Sequence, residues 1–285
     1  MKYFFISTSH LESRIWFPDD NDFRIGMNYV AVVALATDVT VIAFILMSNH
    51  VHFLVLCESE ADARHFISDY KKRYGMYFRN KYGKARFLRR NDVDIQEITL
   101  RFEAIERVIA YIVVNSVAAR VCAAANGYKW GSGSCYFNLN KESGRPLSSM
   151  SGRERIAIFK SNAKLPGQWK VGADGFILPE SYIPVKLVES IFRTPTRYNY
   201  FLQNSSKAKR IKDAEGPAFR DQVILGCFKD LCQTLCNKNG TKDLNDEEQK
   251  EIVKQLRWRL GADGRQISRV TGIDLPRVSE MLLSV

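Results

Sequence analysis

Two short clusters carry residue types that do chemistry. Leu46 to Val55 reads L-M-S-N-H-V-H-F-L-V. Residues two apart in a strand face the same side, about 6.6 Å apart at ~3.3 Å per residue. His50 and His52 can therefore converge on one divalent metal while Val51 and Phe53 pack on the opposite side. Two neutral imidazoles suit such an ion. The chain has only four histidines, so a chance H-x-H is uncommon. The bland alternative is a histidine that satisfies a core hydrogen bond.

The second cluster lies further along, where Ile105 to Val121 reads I-E-R-V-I-A-Y-I-V-V-N-S-V-A-A-R-V. Tyr111 and Asn115 are four apart, neighbours on one helical face at roughly 5–6 Å between Cβ atoms. A phenol beside a metal-bound phosphate can attack it and form a phosphotyrosine. The free phenol has a pKa near 10, so a metal or a base must help. The amide oxygen of Asn115 offers a third ligand. The alternative is a tyrosine whose ring fills core, and Ile112-Val113-Val114 is a β-branched run that weakens the helix. His10 near the end of the first strand, His65, Glu97, Glu103 and Glu106 are lesser candidates that spacing does not select.

The elements that must position these groups follow from periodicity and turn chemistry. Tyr3–Ser7 reads as a strand, Asp22 caps a helix to about Ala36, and Val41–Met47 is an apolar run of strand length. Ser48-Asn49 is a turn before a strand from His50 to Cys57. Ala61 to Tyr82 is helical and stops at Gly83. Ala85 to Leu100 reads as strand or hairpin, and Phe102 to Val121 as one further helix. The order matches a ferredoxin-like βαββαβ arrangement, so the fold class expected is α+β.

Charge points to a polyanion. The 285 residues carry a formal +11, are 46% hydrophobic and 12% aromatic, which excludes a disordered chain and a small disulfide scaffold. Between Asp62 and Arg90 ten Lys or Arg stand against two Asp. Lys71, Lys72, Arg73, Arg79, Lys81, Arg86, Arg89 and Arg90 are the DNA-contact candidates in that stretch. Tyr70, Tyr74 and Tyr77 form one helical stripe, either core or base-stacking.

Residues 138–200 read as a linker and mixed connecting segment, and 201–285 as a helical C-terminal domain. Within it Gly264–Leu283 is a candidate helix-turn-helix, with Arg277 and Ser279 toward duplex DNA. Lys242 to Val285 holds eight basic and eight acidic residues, so that segment is not itself an electrostatic magnet. The six cysteines lack C-x-x-C spacing and read as reduced thiols, which suits the cytoplasm. No secretory signal is expected, and Asp38 interrupts the apolar stretch Val30–Met47, so no membrane span is expected.

Together S-N-H-V-H at Ser48–His52 and Y-I-V-V-N-S-V-A-A at Tyr111–Ala119 resemble the single-tyrosine HUH transposases, most of all the REP-associated tyrosine transposases. Lys129-Trp130-Gly131-Ser132 resembles their tryptophan-serine signature. The resemblance covers about residues 2–137. It implies His50, His52 and Asn115 as ligands of Mg²⁺ or Mn²⁺, and Tyr111 as the nucleophile on single-stranded DNA, hairpin-forming DNA included. It also implies a 5′-phosphotyrosine, a free 3′-hydroxyl, a monomer or homodimer, and a bacterial, nucleoid-associated protein. Two departures are Ser116, where relatives carry proline, and Ala85-Arg86-Phe87-Leu88, a weak match to a tryptophan-bearing G-x-L-W-like strand. The expected function is therefore a nickase and strand transferase. The rivals are a non-catalytic DNA-binding protein on the same fold and a metal hydrolase in which Tyr111 is core.

Overall fold

The computed structural model describes residues 1–8, 14–83, 88, 93–100, 103–119, 121–140, 142–212 and 219–283, with the side chains of 206–212 left aside. The protein is α+β. Its first half runs β1 (Lys2–Ser7), α1 (Asp20–Thr37), β2 (Thr40–Met47), β3 (His50–Cys57), α2 (Glu60–Tyr82), β4 (Asp94–Ile98), α3 (Ala104–Val113) and α4 (Asn115–Ala118). The four strands form one sheet in the order β2-β3-β1-β4, with all neighbours antiparallel.

Local chemistry sets the element ends. Asp19, not Asp22, caps α1; Asp22 occupies the third helical position and closes a capping box with it. Ser59 and Asp62 do the same for α2, which ends at Gly83 with φ of 66°. The expected single helix over 102–121 is instead divided at Val114, whose φ and ψ are −83° and 0°. The β-branched run disfavours continuation, and Asn115 Nδ2 donates to the Tyr111 carbonyl at 3.1 Å, the kind of local bond that competes with a helix ladder. Of the expected strand or hairpin over 85–100, the described strand is Asp94–Ile98.

Alternation gives the sheet two distinct faces. Phe53 points to α2, its ring 5.2 Å from Phe66 and 5.5 Å from Tyr70. His50 and His52 point the other way, toward α3, which packs on β2 and β3. Residues 128–136 cover the β2 edge. Tyr128, Tyr136 and the Trp130 backbone bond the carbonyls or N–H groups of Leu46 and Ile42, which blunts an otherwise pairable edge. A Cβ on Gly131 would sit 2.8 Å from the Phe44 carbonyl, so this approach requires glycine.

The second half continues with β5 (Arg145–Pro146), α5 (Gly152–Phe159), β6 (Lys170–Val171), α6 (Val185–Phe192) and α7 (Pro195–Lys212). Residues 138–200 are packed rather than strung out. Leu147, Phe159, Trp169 and Ile177 share a core with Ala31 and Val32 of α1, while Val188, Phe192 and Tyr198 join the sheet's own core. Four more helices, α8 (Asp221–Cys236), α9 (Asp246–Leu260), α10 (Gly264–Thr271) and α11 (Leu275–Leu283), surround a separate cluster that includes Ile224, Phe228, Ile252, Leu256, Ile267 and Val278. All six cysteines are free thiols. Among the described residues no helix is long and apolar enough to cross a membrane.

Candidate active site

His52 and Tyr111, far apart in sequence, meet on the α3 face of the sheet. Their ring centroids are 5.5 Å apart, and those of His50 and His52 are 4.9 Å apart. Phe5 of β1 stacks on His52 at 5.6 Å and meets Tyr111 edge-on at 5.8 Å. His52 is fully buried, whereas Tyr111 is 37% exposed. The Tyr111 ring thus lies between His52 and solvent, and His50 is itself partly exposed. One chain supplies all of these groups, so no second subunit is needed to bring the tyrosine to the histidines.

Partial burial raises the Tyr111 pKa above that of a free phenol, and a hydrogen bond from Asn115 offsets part of that rise. Asn115 is itself buried and tied to the Tyr111 carbonyl. His50 Nδ1 lies 2.9 Å from Asn49 Oδ1. With Nδ1 donating to that amide oxygen, the lone pair lies on Nε2, the arrangement a metal-binding imidazole adopts.

The groups that could serve a divalent cation are two imidazoles from alternate positions of β3 and the amide beside Tyr111. Among the described residues no group of three His, Cys, Asp or Glu could hold a metal. The lesser carboxylate candidates are engaged elsewhere. Glu97 pairs with Lys2 at 3.0 Å, and Arg197 of α7 pairs with Glu103 and Glu106 at 2.8 and 3.4 Å. His65 is exposed. His10, Arg86, Arg89 and Arg90 lie outside the described residues.

The basic helix α2 lies on the other side of the sheet from Tyr111. Tyr70 and Tyr74 are completely buried, so these two are core and do not stack on bases. Arg73 pairs with Asp69 at 2.8 Å, and Lys81 bridges Asp19 and the buried Asp22 at 2.6 and 2.8 Å. Lys71 is partly buried, and Lys72 and Arg79 are exposed. In α11, Arg277 pairs with Asp246 at 2.5 Å and Ser279 donates to the Leu275 carbonyl at 3.0 Å. Both polar ends are spent within the helical bundle.

Sequence reasoning missed what holds the histidine turn. Ser48, two residues before His50, donates to Asp221 at 2.7 Å, and its carbonyl accepts from the Trp16 and Phe17 N–H groups at 2.7 and 3.1 Å. Asp221, at the start of α8, is buried and also accepts from Arg269 and Gln266 of α10 at 2.8 Å each. Burial pushes its carboxyl pKa up, but Arg269, with Ser48 and Gln266, outweighs this and leaves it below the usual carboxylate range. Gln222 donates to the Phe17 carbonyl at 2.7 Å. The C-terminal bundle thus grips the turn that carries the imidazoles.

The part of this α+β domain that carries the two histidines is similar to a transposase family. Residues 18–92, about a quarter of the chain, match the family model described as Transposase IS200 like, a span that includes His50 and His52. The match supports a likeness to the single-tyrosine transposases over that segment, which ends before Tyr111. No curated protein and no solved structure matches it.

Proposed function

We propose that this protein is a metal-dependent single-stranded DNA nickase and strand transferase that works through a covalent 5′-phosphotyrosine on Tyr111. The observation that carries the reading is the contact of Tyr111 with His52, which in turn neighbours His50, on one face of the sheet. The strand order supports a ferredoxin-like domain over residues 1–137. Each crossover helix skips one strand, α1 passing β3 and α2 passing β1, so two βαβ halves interleave.

His50, His52 and Asn115 would hold Mg²⁺ or Mn²⁺, which when bound supplies positive charge to the scissile phosphate. The Tyr111 oxygen attacks phosphorus in line, forming the phenol–phosphorus bond as the phosphorus–O3′ bond breaks. The phenol proton passes to water, and the leaving O3′ takes up a proton to become a 3′-hydroxyl. Phosphodiester energy is retained in the adduct, so an incoming 3′-hydroxyl can reverse the step and join a new strand. Asn115 orients the phenol through its hydrogen bond. Tyr111 acts on its own subunit's site, which leaves monomer and homodimer equally able to cut. A strand held at Tyr111 reaches Lys72 and Arg79 of α2 only by passing around a sheet edge.

The rival is a DNA-binding protein that no longer cuts, and one observation favours it. The His52 ring is covered by Phe5 and Tyr111, so the rings must separate before substrate enters. The test uses the full chain, Mn²⁺ and a 3′-labelled pool of single-stranded oligonucleotides, because the 3′ fragment stays on the enzyme. We expect a labelled, denaturant-resistant protein band that vanishes in Tyr111→Phe. Binding without any band supports the rival; cleavage without a band supports a hydrolase; a band that survives Tyr111→Phe moves the nucleophile elsewhere.

A further inference from the structure

The outer surface of the C-terminal bundle carries a tryptophan that folding does not use. Trp258 in the last turn of α9 is 87% exposed, whereas Trp16, Trp130 and Trp169 are 0%, 1% and 9% exposed. The helix is not misregistered, because Ile252, Val253 and Leu256 of the same helix are buried in the bundle core. Trp258 lies on the opposite, solvent side. With Lys254, Arg257, Arg259 and Leu282 it lines a groove of about 510 Å³.

The charge around this indole is one-sided. The ion pairs of α9 engage its acidic first turn, Lys238 with Glu248 and Arg277 with Asp246. Lys254, Arg257 and Arg259 form no ion pair among the described residues. Glu251, the acid in the groove, accepts from Gln255 at 2.6 Å. Cations in a last turn complement the helix dipole, which accounts for Arg257 and Arg259. The dipole gives no reason to expose an indole beside them. A second copy of the chain is a poor occupant, since a self-complementary contact would bring two sets of cations together.

We propose that Trp258 and its flanking cations form a binding site for single-stranded nucleic acid, separate from the Tyr111 centre. The cations meet phosphates, and the indole stacks on an unpaired base. Duplex DNA keeps its bases stacked on one another and offers the indole no partner, so the exposed ring selects a single strand. The site sits on α9 and the end of α11, away from Arg277 and Ser279, whose polar groups are already engaged. It does not depend on the nicking chemistry and would hold a strand in a protein that never cuts.

The test is a fluorescence titration of the full chain with oligo(dT), in a Tyr111→Phe background so that no cleavage intervenes. The other three tryptophans are buried, so quenching of the red-shifted emission reports Trp258. We expect that quenching, a drop in affinity of about 5- to 100-fold in Trp258→Ala, and partial recovery in Trp258→Phe. Lys254→Ala with Arg259→Ala should reduce the magnitude of the log–log salt slope by about 1.4. Binding that leaves the emission unchanged overturns the proposal. So does equal quenching by a polyglutamate of similar length, which would mean a polyanion site without base stacking. A concentration-dependent dimer in sedimentation that Trp258→Ala abolishes would assign the surface to a second copy instead.

Discussion

On the sheet face covered by α1 and α2, the buried carboxylate of Asp22 and the Tyr74 hydroxyl are answered within the fold, though the buried Tyr70 hydroxyl is not. Asp22 accepts from Lys81, Tyr77 and Tyr82, and Tyr74 donates to the Trp16 carbonyl. On the face covered by α3, His52 lies beneath a phenol that is partly open to solvent. The same sheet supports both, but the first set is bonded within the fold and the second borders solvent through Tyr111. Position in the layers, more than the density of charge along the sequence, separates scaffold from candidate chemistry. The longest basic run in the sequence, on α2, falls on the closed side.

The comparison is broken most severely at the imidazoles. His52→Gln should lower adduct formation by about 10²–10³-fold, the loss of several kcal/mol of charge stabilisation. A similar loss in Lys72→Ala would mean that the two faces do not differ as described. Next in size is Asp221→Ala, which takes the buried acceptor from the partly buried Arg269 and the buried Gln266 and should cost about 3 kcal/mol in urea unfolding. Lys81→Ala should likewise destabilise, by about 2–4 kcal/mol, because Asp22 is fully buried. Single-strand affinity should barely move in that variant.

Acid sharpens the contrast between the two buried carboxylates. The Asp221 pKa is lowered in the fold, so its contribution is present above the ordinary carboxylate pKa of about 4 and lost as pH falls through its lower folded value. The Asp22 pKa is raised, burial outweighing its bonds to Lys81 and Tyr82. Its contribution therefore has the opposite sign, present at low pH and lost as pH rises through the raised value. Unfolding of Asp221→Asn followed from pH 6 to pH 3 should show a flatter acid limb than the unmodified protein. An unchanged limb would remove Asp221 from the acid response. The smallest effect is expected for Lys72→Ala, within about twofold in single-strand affinity, as for an ordinary surface change.

Much of the site was legible because its parts obey short-range rules. The H-x-H pair falls on a strand as the period of two requires, and Tyr111 and Asn115 are neighbours across one turn. That the two clusters face each other was legible only through resemblance to a family, since no local rule spans the interval between His52 and Tyr111. The aromatic stripe of α2 was ambiguous for a related reason. Helical spacing says that Tyr70 and Tyr74 share a side, but only packing says which side is covered. Residues 138–200 looked like a linker because Trp169, Phe176 and Ile177 are spaced without a period and lie among turn residues. The Asp221–Ser48 bond joins positions 173 residues apart through one acid at a helix start, and nothing in its neighbourhood marks it.

That bond bears on what can be cut away or exchanged. The segment matching the transposase family ends at residue 92, yet the serine of its histidine motif is fastened to a helix that begins at Asp221. A shortened chain ending near residue 92 would release the fastening, and a tail borrowed from another protein would have to reproduce it. The tail and the motif therefore act as one physical unit, and a change at either end is felt at the histidine turn.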